Sequence, residues 1–529
     1  MLAIVLGSAS PLQAQIASGP SKVIEPGGIF VGDELERYLR VLQVAGVSEP
    51  YPWSIRGFSP AEIEALAPAA SEHPWGDRYR FVGGSAATQV RWVRPRLTTS
   101  YNSGFPFGGD DGAVWAGRGV TTAFQAGFSA RAGPLSVTLA PIAFWTQNAD
   151  FDLMPNGQDD RLAFADGQFP TVIDQPQRFG DGSYSRIDPG QSTIRLDLPI
   201  VVVGVATANQ FWGPATTYPL ILGDNAPGYP HAFLGTSEPV NIGIGRMHGR
   251  FVWGELTQSD YSPVQAGETR RFASGLVGVF TPRGLPGLEL GGSRFFHTPW
   301  PGRGLEFGDL ILPLEGLFKV DRGDRGDEED NQLASIFARW ELPRGGFEAY
   351  GEYAREDHNF DSRDLVLEPD HDSGYMLGVA KVWQRPKSRF WVFRGEVLNT
   401  RVSHLAQVRI QSPFYIHVNG LQQGHTQRGQ VLGSPAAVGG SGATASVDLY
   451  HPRGRWALAW NRVLRQEREV LAGSGAEGVD VVHSLGAEGV FFRGRYDLTA
   501  GVTGAYELNR DFGGDAFNLN LRLGARVAL

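Results

Sequence analysis

Cysteine is absent from all 529 residues, which excludes disulfides, thiolate metal sites and a lipid-bearing amino-terminal cysteine. Lysine stands only at positions 22, 319, 381 and 387, so the cations are nearly all arginine. No apolar run approaches the roughly 20 residues of a membrane-spanning helix; the longest stretch, Ile200 to Ala206, falls far short. A surplus of positive charge is also missing: the formal net charge is −9, which argues against nucleic acid as a partner. What abounds is glycine (70 residues) and aromatics, with 31 Phe, 15 Tyr and 13 Trp, a balance that favours sheet and turn. Arginine's planar fork suits carboxylates, phosphates and acidic sugars; the plainer reading of its abundance is genomic base composition.

The last thirteen residues alternate without a break. Phe517, Leu519, Leu521, Leu523, Ala525, Val527 and Leu529 fall on one face. Asn518, Asn520, Arg522, Gly524, Arg526 and Ala528 fall on the other. A period of two is a strand, and arginines opposite a purely apolar face suit a wall with lipid outside and water inside. Other alternating stretches lie at Leu135 to Leu139, Ile194 to Leu198, Phe390 to Val397, Val447 to Tyr450, Trp456 to Val463 and Tyr496 to Val502. Glycine-, proline- and aspartate-rich loops separate them, among them Ser100 to Gly112, Met154 to Gly190 and Pro299 to Gly308. The fold class expected is an all-β transmembrane barrel of antiparallel strands. At roughly 9 to 11 residues per tilted strand, its length leaves an even count between about 14 and 20. A pair of secreted β-sandwiches is the alternative.

Residues 1–15 read as the end of a secretory signal, with the basic n-region truncated and a cut expected after Ala14. Residues 16–84 read as a small periplasmic helical module. Asp33 is placed to cap a helix carrying Leu35, Tyr38, Leu39 and Leu42 and ending near Gly46, and Ser59-Pro60-Ala61-Glu62 is a capping box with proline at the first helical position. Residues 85–529 are assigned to the barrel.

Two stretches are more specific than alternation. The first runs Asn209-Gln210-Phe211-Trp212-Gly213-Pro214 and on through Leu220-Ile221-Leu222-Gly223-Asp224-Asn225-Ala226-Pro227. The second runs Leu333 to Trp340, then Phe347-Glu348-Ala349-Tyr350-Gly351-Glu352-Tyr353-Ala354-Arg355-Glu356-Asp357-His358. Together with Pro413 to His417 and Gly424 to Gln430, they resemble the capsule-assembly Wzi family of outer-membrane barrels. The resemblance implies eighteen strands, a periplasmic helical bundle, and non-enzymatic, lectin-like attachment of capsular or extracellular polysaccharide at the cell outer membrane. The implied partners are that polysaccharide, outer-membrane lipids with lipopolysaccharide, and the barrel-assembly machinery.

The residues singled out for polysaccharide binding or loop support are Trp212, Asn225, Glu352, Arg355, Asp357 and His358. Along the second stretch Glu348, Glu352 and Glu356 share one face, so they should point into the lumen and leave Phe347, Ala349, Gly351 and Tyr353 to lipid. Their plain role is to brace the wall through ion pairs. Trp212 offers a ring for stacking on sugar, and equally suits an interfacial girdle or a plug. Asn225 is as well suited to shaping a turn. The acidic run Asp321 to Asp330 lacks the order of a calcium loop and reads as solvated. The scattered histidines His358, His371, His404, His417 and His425 have no metal-ligand spacing, so no metal or cofactor is expected. Two rival functions are carried: a diffusion porin, which shares the alternation, and a hydrolase, for which Glu352 and Asp357 are a pair by type only.

Overall fold

The computed structural model describes residues 23–24, 28–68, 72–81, 88–108, 111–264, 269–315, 331–356, 366–386, 388–403, 411–416, 421–467 and 478–527. The leader at 1–15, Asp357, His358, His404, His417 and the acidic run 321–330 lie outside them.

Among the described residues the wall is a closed antiparallel barrel of 18 strands. In chain order these are β1 (Thr88–Asn102), β2 (Gly119–Ala132), β3 (Leu135–Leu139 and Ile142–Thr146), β4 (Tyr184–Asp188 and Thr193–Asp197), β5 (Val201–Ala206) and β6 (His231–Thr236 and Val240–Asn241). β7 (Gly245–Thr257), β8 (Arg270–Pro282), β9 (Leu288–Pro299), β10 (Asn331–Leu342), β11 (Phe347–Glu356) and β12 (Ser373–Arg385) follow. The last six are β13 (Arg389–Asn399), β14 (Ser441–His451), β15 (Gly454–Glu467), β16 (Val479–Arg493), β17 (Tyr496–Arg510) and β18 (Gly514–Val527). β18 pairs with β1 and closes the wall, leaving no free edge around most of it.

Alternation decides what faces where. On β18, Phe517, Leu521 and Leu523 are exposed on the outside, whereas Asn518 is buried and Arg522 and Arg526 reach carboxylates inside. On β11, Glu348, Glu352 and Glu356 are buried toward the lumen, as the sequence pattern requires. Short turns join the strands at one end and long loops at the other. In such barrels the short-turn end is periplasmic.

Two helices close that end. Helix α1 (Glu34–Val44) buries Leu35, Tyr38, Leu39 and Leu42, and Gly46 ends it with φ +71°. Helix α2 (Pro60–Leu66) carries the full capping box between Ser59 and Glu62. Tyr38 stacks on Trp75 at 4.1 Å, and the Trp75 indole donates to the carbonyl of Gly454 at the start of β15 at 3.0 Å. Asp33 takes the N-cap position of α1, but its side chain does not cap the helix. The carboxylate goes instead to Arg96 of β1 (3.4 Å) and Arg526 of β18 (2.6 Å). Those two arginines sit directly opposite each other where the first and last strands meet, a like-charge pairing that is destabilising without a counterion.

The long-loop half departs from regular text in two places. Prolines at 141 and 189 fall at the breaks in β3 and β4, where a central strand cannot keep its ladder. Above the breaks, Tyr184–Asp188 pairs only with β3, and the end of β7 lacks a strand partner on the facing side. A hairpin of Thr426–Gln427 and Gln430–Val431 fills that gap. Arg428 N donates to Thr257 O (2.9 Å), Gln427 accepts from Thr257 N (2.7 Å), and the Arg428 guanidinium reaches Asp188 (3.2 Å). Helices α3 (Phe307–Leu310) and α4 (Leu312–Glu315) lie on the outer face of β7 to β9, where the Trp253 indole donates to Leu310 O at 2.7 Å.

Candidate functional site: a plugged lumen beneath the outer loops

The loop between β5 and β6, residues 207–230, does not stay outside. It turns down into the lumen and pairs Phe211 and Trp212 with Arg56 and Ile55 of the helical module. Gly213 N donates to Ser54 O at 2.9 Å. The turn Trp212-Gly213-Pro214 is thus the lowest point of an outer loop. It needs glycine twice over: φ is +89°, and a Cβ there would lie 2.5 Å from a carboxylate oxygen of Glu352.

Three buried charges hold the turn. Arg40 of α1 donates to Pro214 O (2.8 Å) and Ala215 O (3.3 Å) while pairing with Glu348 of β11 (3.1 Å). Glu396 of β13 accepts from the backbone N–H groups of Thr216 (2.8 Å), Thr217 (3.0 Å) and Tyr218 (2.5 Å). Arg56 lies 3.2 Å from the ring centroid of Phe211 and reaches Glu36 at 3.5 Å. Below, Arg339 of β10 bonds Glu348 and Glu289, with Gln43 at 2.8 Å and Glu341 at 3.3 Å. Glu289 in turn accepts from the N–H of Trp53 and the hydroxyl of Ser54. Charges buried this deeply are tolerated because each has opposite charge or hydrogen bonds around it.

A second outer loop locks the first. Residues 421–440 bring Leu432 O to Gly223 N (2.8 Å), His425 to Ile221 O (2.6 Å) and Val431 O to the Asn225 amide (2.8 Å). The Tyr415 hydroxyl reaches Leu220 O (2.5 Å). Around these bonds Trp212, Leu220, Ile221, Leu222, Phe295 and Tyr415 form one apolar core. It fills one side of the lumen. The other side keeps a polar cavity of about 570 Å³ with Asp33, Glu34 and Arg37 in its floor and Arg394, Asp448, Arg455 and Glu488 in its wall.

Burial sets two titrations in this region. Desolvation pushes the Glu36 carboxyl up to about 7, against the pull of Arg56 and of the Gly32 N–H. Asp224, across Arg56 in the plug, is raised by the same cause. In Glu62, burial would also raise the carboxyl, but His248 at 3.2 Å and nearby arginines outweigh it, and its value falls to about 2.

The residues singled out by sequence divide. Trp212 and Asn225 lie in the plug and Glu352 in the wall against its Gly213 tip, all buried, with Trp212 packed edge-on against Phe295. Arg355 does not join them. It lies one residue from Ala354 and three from Glu352, hence on the outer face of β11, and its guanidinium holds His371 O at 3.0 to 3.2 Å. No local pattern marked Arg40 or Glu396, whose partners are distant in the chain; Arg339 lay within the Leu333 to Trp340 stretch, two residues from Glu341 and nine from Glu348. Glu348 and its neighbours were visible as an acidic face.

These features define a class: an outer-membrane β-barrel whose own outer loops plug its lumen and rest on the amino-terminal helical segment. Residues 94–457 match the model of the family described as capsule assembly protein Wzi, and the chain belongs to that family. It is similar to the solved structure of Wzi from Escherichia coli, an outer-membrane protein involved in group 1 capsule assembly and a carbohydrate-binding β-barrel. The identity is 14%, the TM-score 0.62, and the match covers 94% of this chain and 99% of that one. OprD from Pseudomonas aeruginosa (13% identity, TM-score 0.40, 84% and 93% covered) and a BenF-like porin from Pseudomonas fluorescens (9%, 0.41, 83% and 99%) also match. No curated protein sequence matches the chain.

Proposed function

We propose that this barrel binds capsular or extracellular polysaccharide at the cell surface, as a lectin and not as a catalyst. In this reading residues 16–84 serve as the periplasmic module and 85–529 as the barrel. The outer loops carry the binding surface, with lipopolysaccharide-containing lipid around the belt. One observation carries the proposal: the loops at 207–230 and 421–440 are packed into a single body braced on wall and module, which provides a fixed platform at the outer end where a transport pore would need an opening. Membership of a capsule-assembly family supports the same reading.

Within it, Trp212, Asn225 and Glu352 support the platform from beneath. Arg355 fixes the loop that returns at His371, and Asp357 and His358 belong to that loop's sequence. The test is retention of the host's own surface polysaccharide by the purified, detergent-solubilised barrel, with an unrelated neutral glycan as control. Selective retention is expected, with W212A/R355A/H358A reducing it. Retention left intact by a folded triple variant would remove those residues from the assignment. No retention, together with steady conductance in a planar bilayer, would favour a channel through the polar cavity.

A further inference from the structure

The end of the barrel with short turns carries a concentration of arginine that neither the plug nor the cavity uses. The turn at 343–346 reads Pro-Arg-Gly-Gly, that at 385–389 Arg-Pro-Lys-Ser-Arg, that at 452–454 Pro-Arg-Gly and that at 493–495 Arg-Gly-Arg, with no acidic residue in any of them. Arg344, Arg385, Arg389, Arg453, Arg493 and Arg495 are all exposed, and none has an ion-pair partner among the described residues. The chain as a whole has net charge −9, so this is a local reversal of sign.

The direction of the side chains is set by the ladder. Arg385 and Arg389 are directly opposite each other, two residues below the opposed pair Trp383 and Trp391. Both tryptophans are exposed on the outer face, so by the two-residue period both arginines share that face. Arg493 stands directly opposite Tyr496, which is exposed on the outer face with Trp340 and Trp456 of the neighbouring hairpins. Tryptophan and tyrosine at this depth mark the boundary between hydrocarbon and headgroups. The arginines one step beyond them lie at the level of the lipid phosphates. Two like charges directly opposite destabilise a sheet, and the missing counterion is one that guanidinium grips well.

We infer that this arginine crown binds the phosphate headgroups of anionic phospholipids in the leaflet that surrounds the short-turn end. Each site consists of an arginine, or the Arg385–Arg389 pair, beneath an aromatic ring that packs on the lipid's glycerol and upper chain. The aromatic partners on the outer wall favour a lipid over a soluble polyanion, which would have no use for them.

The test places the full-length barrel in nanodiscs of equal phosphatidylglycerol and phosphatidylcholine, releases it into mild detergent, and counts retained lipids by native mass spectrometry. The wild-type protein is expected to keep phosphatidylglycerol preferentially. R385E/R389E should lower that preference on the order of fivefold per arginine reversed, whereas R385K/R389K should keep most of it. If the reversed variant fails the heat-shift assay for a folded barrel, R385Q/R389Q takes its place. Equal retention of both lipids by the wild type, or an unchanged preference in the folded variant, overturns the inference. So does loss of the preference when soluble dextran sulfate is added at equal charge, since that would make the crown a polyanion site.

Discussion

The α-carbon of Gly213, at the tip of the plug, rests against the carboxylate of Glu352, so closely that an added methyl would stand 2.5 Å from its oxygen. One residue type therefore fits there, for reasons of both space and backbone angle. Gly213→Ala is expected to destabilise the folded barrel by about 2–3 kcal/mol, read as a lower temperature for the heat-dependent gel shift. Gly133→Ala is the control. It has φ +57° with nothing within 4 Å, so only the backbone cost of about 1 kcal/mol should appear. Equal shifts in the two variants would show that Glu352 is not in the way.

Arg339 is the only described cation in contact with Glu289 and Glu341, and it shares Glu348 with Arg40. Arg339→Met leaves buried carboxylates without it and should cost about 3–5 kcal/mol. The loss should surface first as protease cleavage between α1 and α2, because Glu289 positions Trp53 and Ser54. Adding Glu289→Gln should recover part of the loss, and strict additivity would contradict this network.

Asp33→Asn removes the charge that separates Arg96 from Arg526. The amide can still hydrogen-bond but cannot neutralise, so a loss of about 3 kcal/mol is expected. Arg96→Gln in the same chain removes the opposed like charge and returns the cluster to its original net charge, so it should reverse much of the loss, as judged by the folded fraction after refolding into detergent.

Glu36 has a carboxyl raised by burial to about 7, against an ordinary value of 4.5. A group that binds its proton more tightly when folded contributes stability that is complete below 4.5 and lost as pH rises through about 7. The contribution is at most about 3 kcal/mol. Melting temperature should therefore fall between pH 5 and 8 in the wild type, and Glu36→Gln should flatten that slope. A slope unchanged by the substitution would place the titration elsewhere.

The wall was legible in the sequence because period-two text needs only neighbours to be read. β17 and β18 are clear from their own residues, and the inward turn of Glu348 and Glu352 follows from the same count. The capping box at Ser59 was legible because its two partners lie three residues apart. The plug was not, since Trp212 meets Ile55 and Asn225 meets Val431 across spans for which local pattern carries no information. Parity could have separated Arg355 from Glu352, three residues away and therefore on opposite faces. The gap between β4 and β7 was hidden for a further reason: the hairpin that fills it belongs to a loop that begins after β13.

The bridge from Asp33 to the first and last strands also bears on the order of events during assembly. When strand eighteen arrives beside strand one, the two surfaces meet cation to cation unless the amino-terminal helix already occupies the interior. Joining the ends of the sheet is thereby made conditional on cargo the chain supplies to itself. An empty cylinder is penalised at its final step, and a loaded one is sealed.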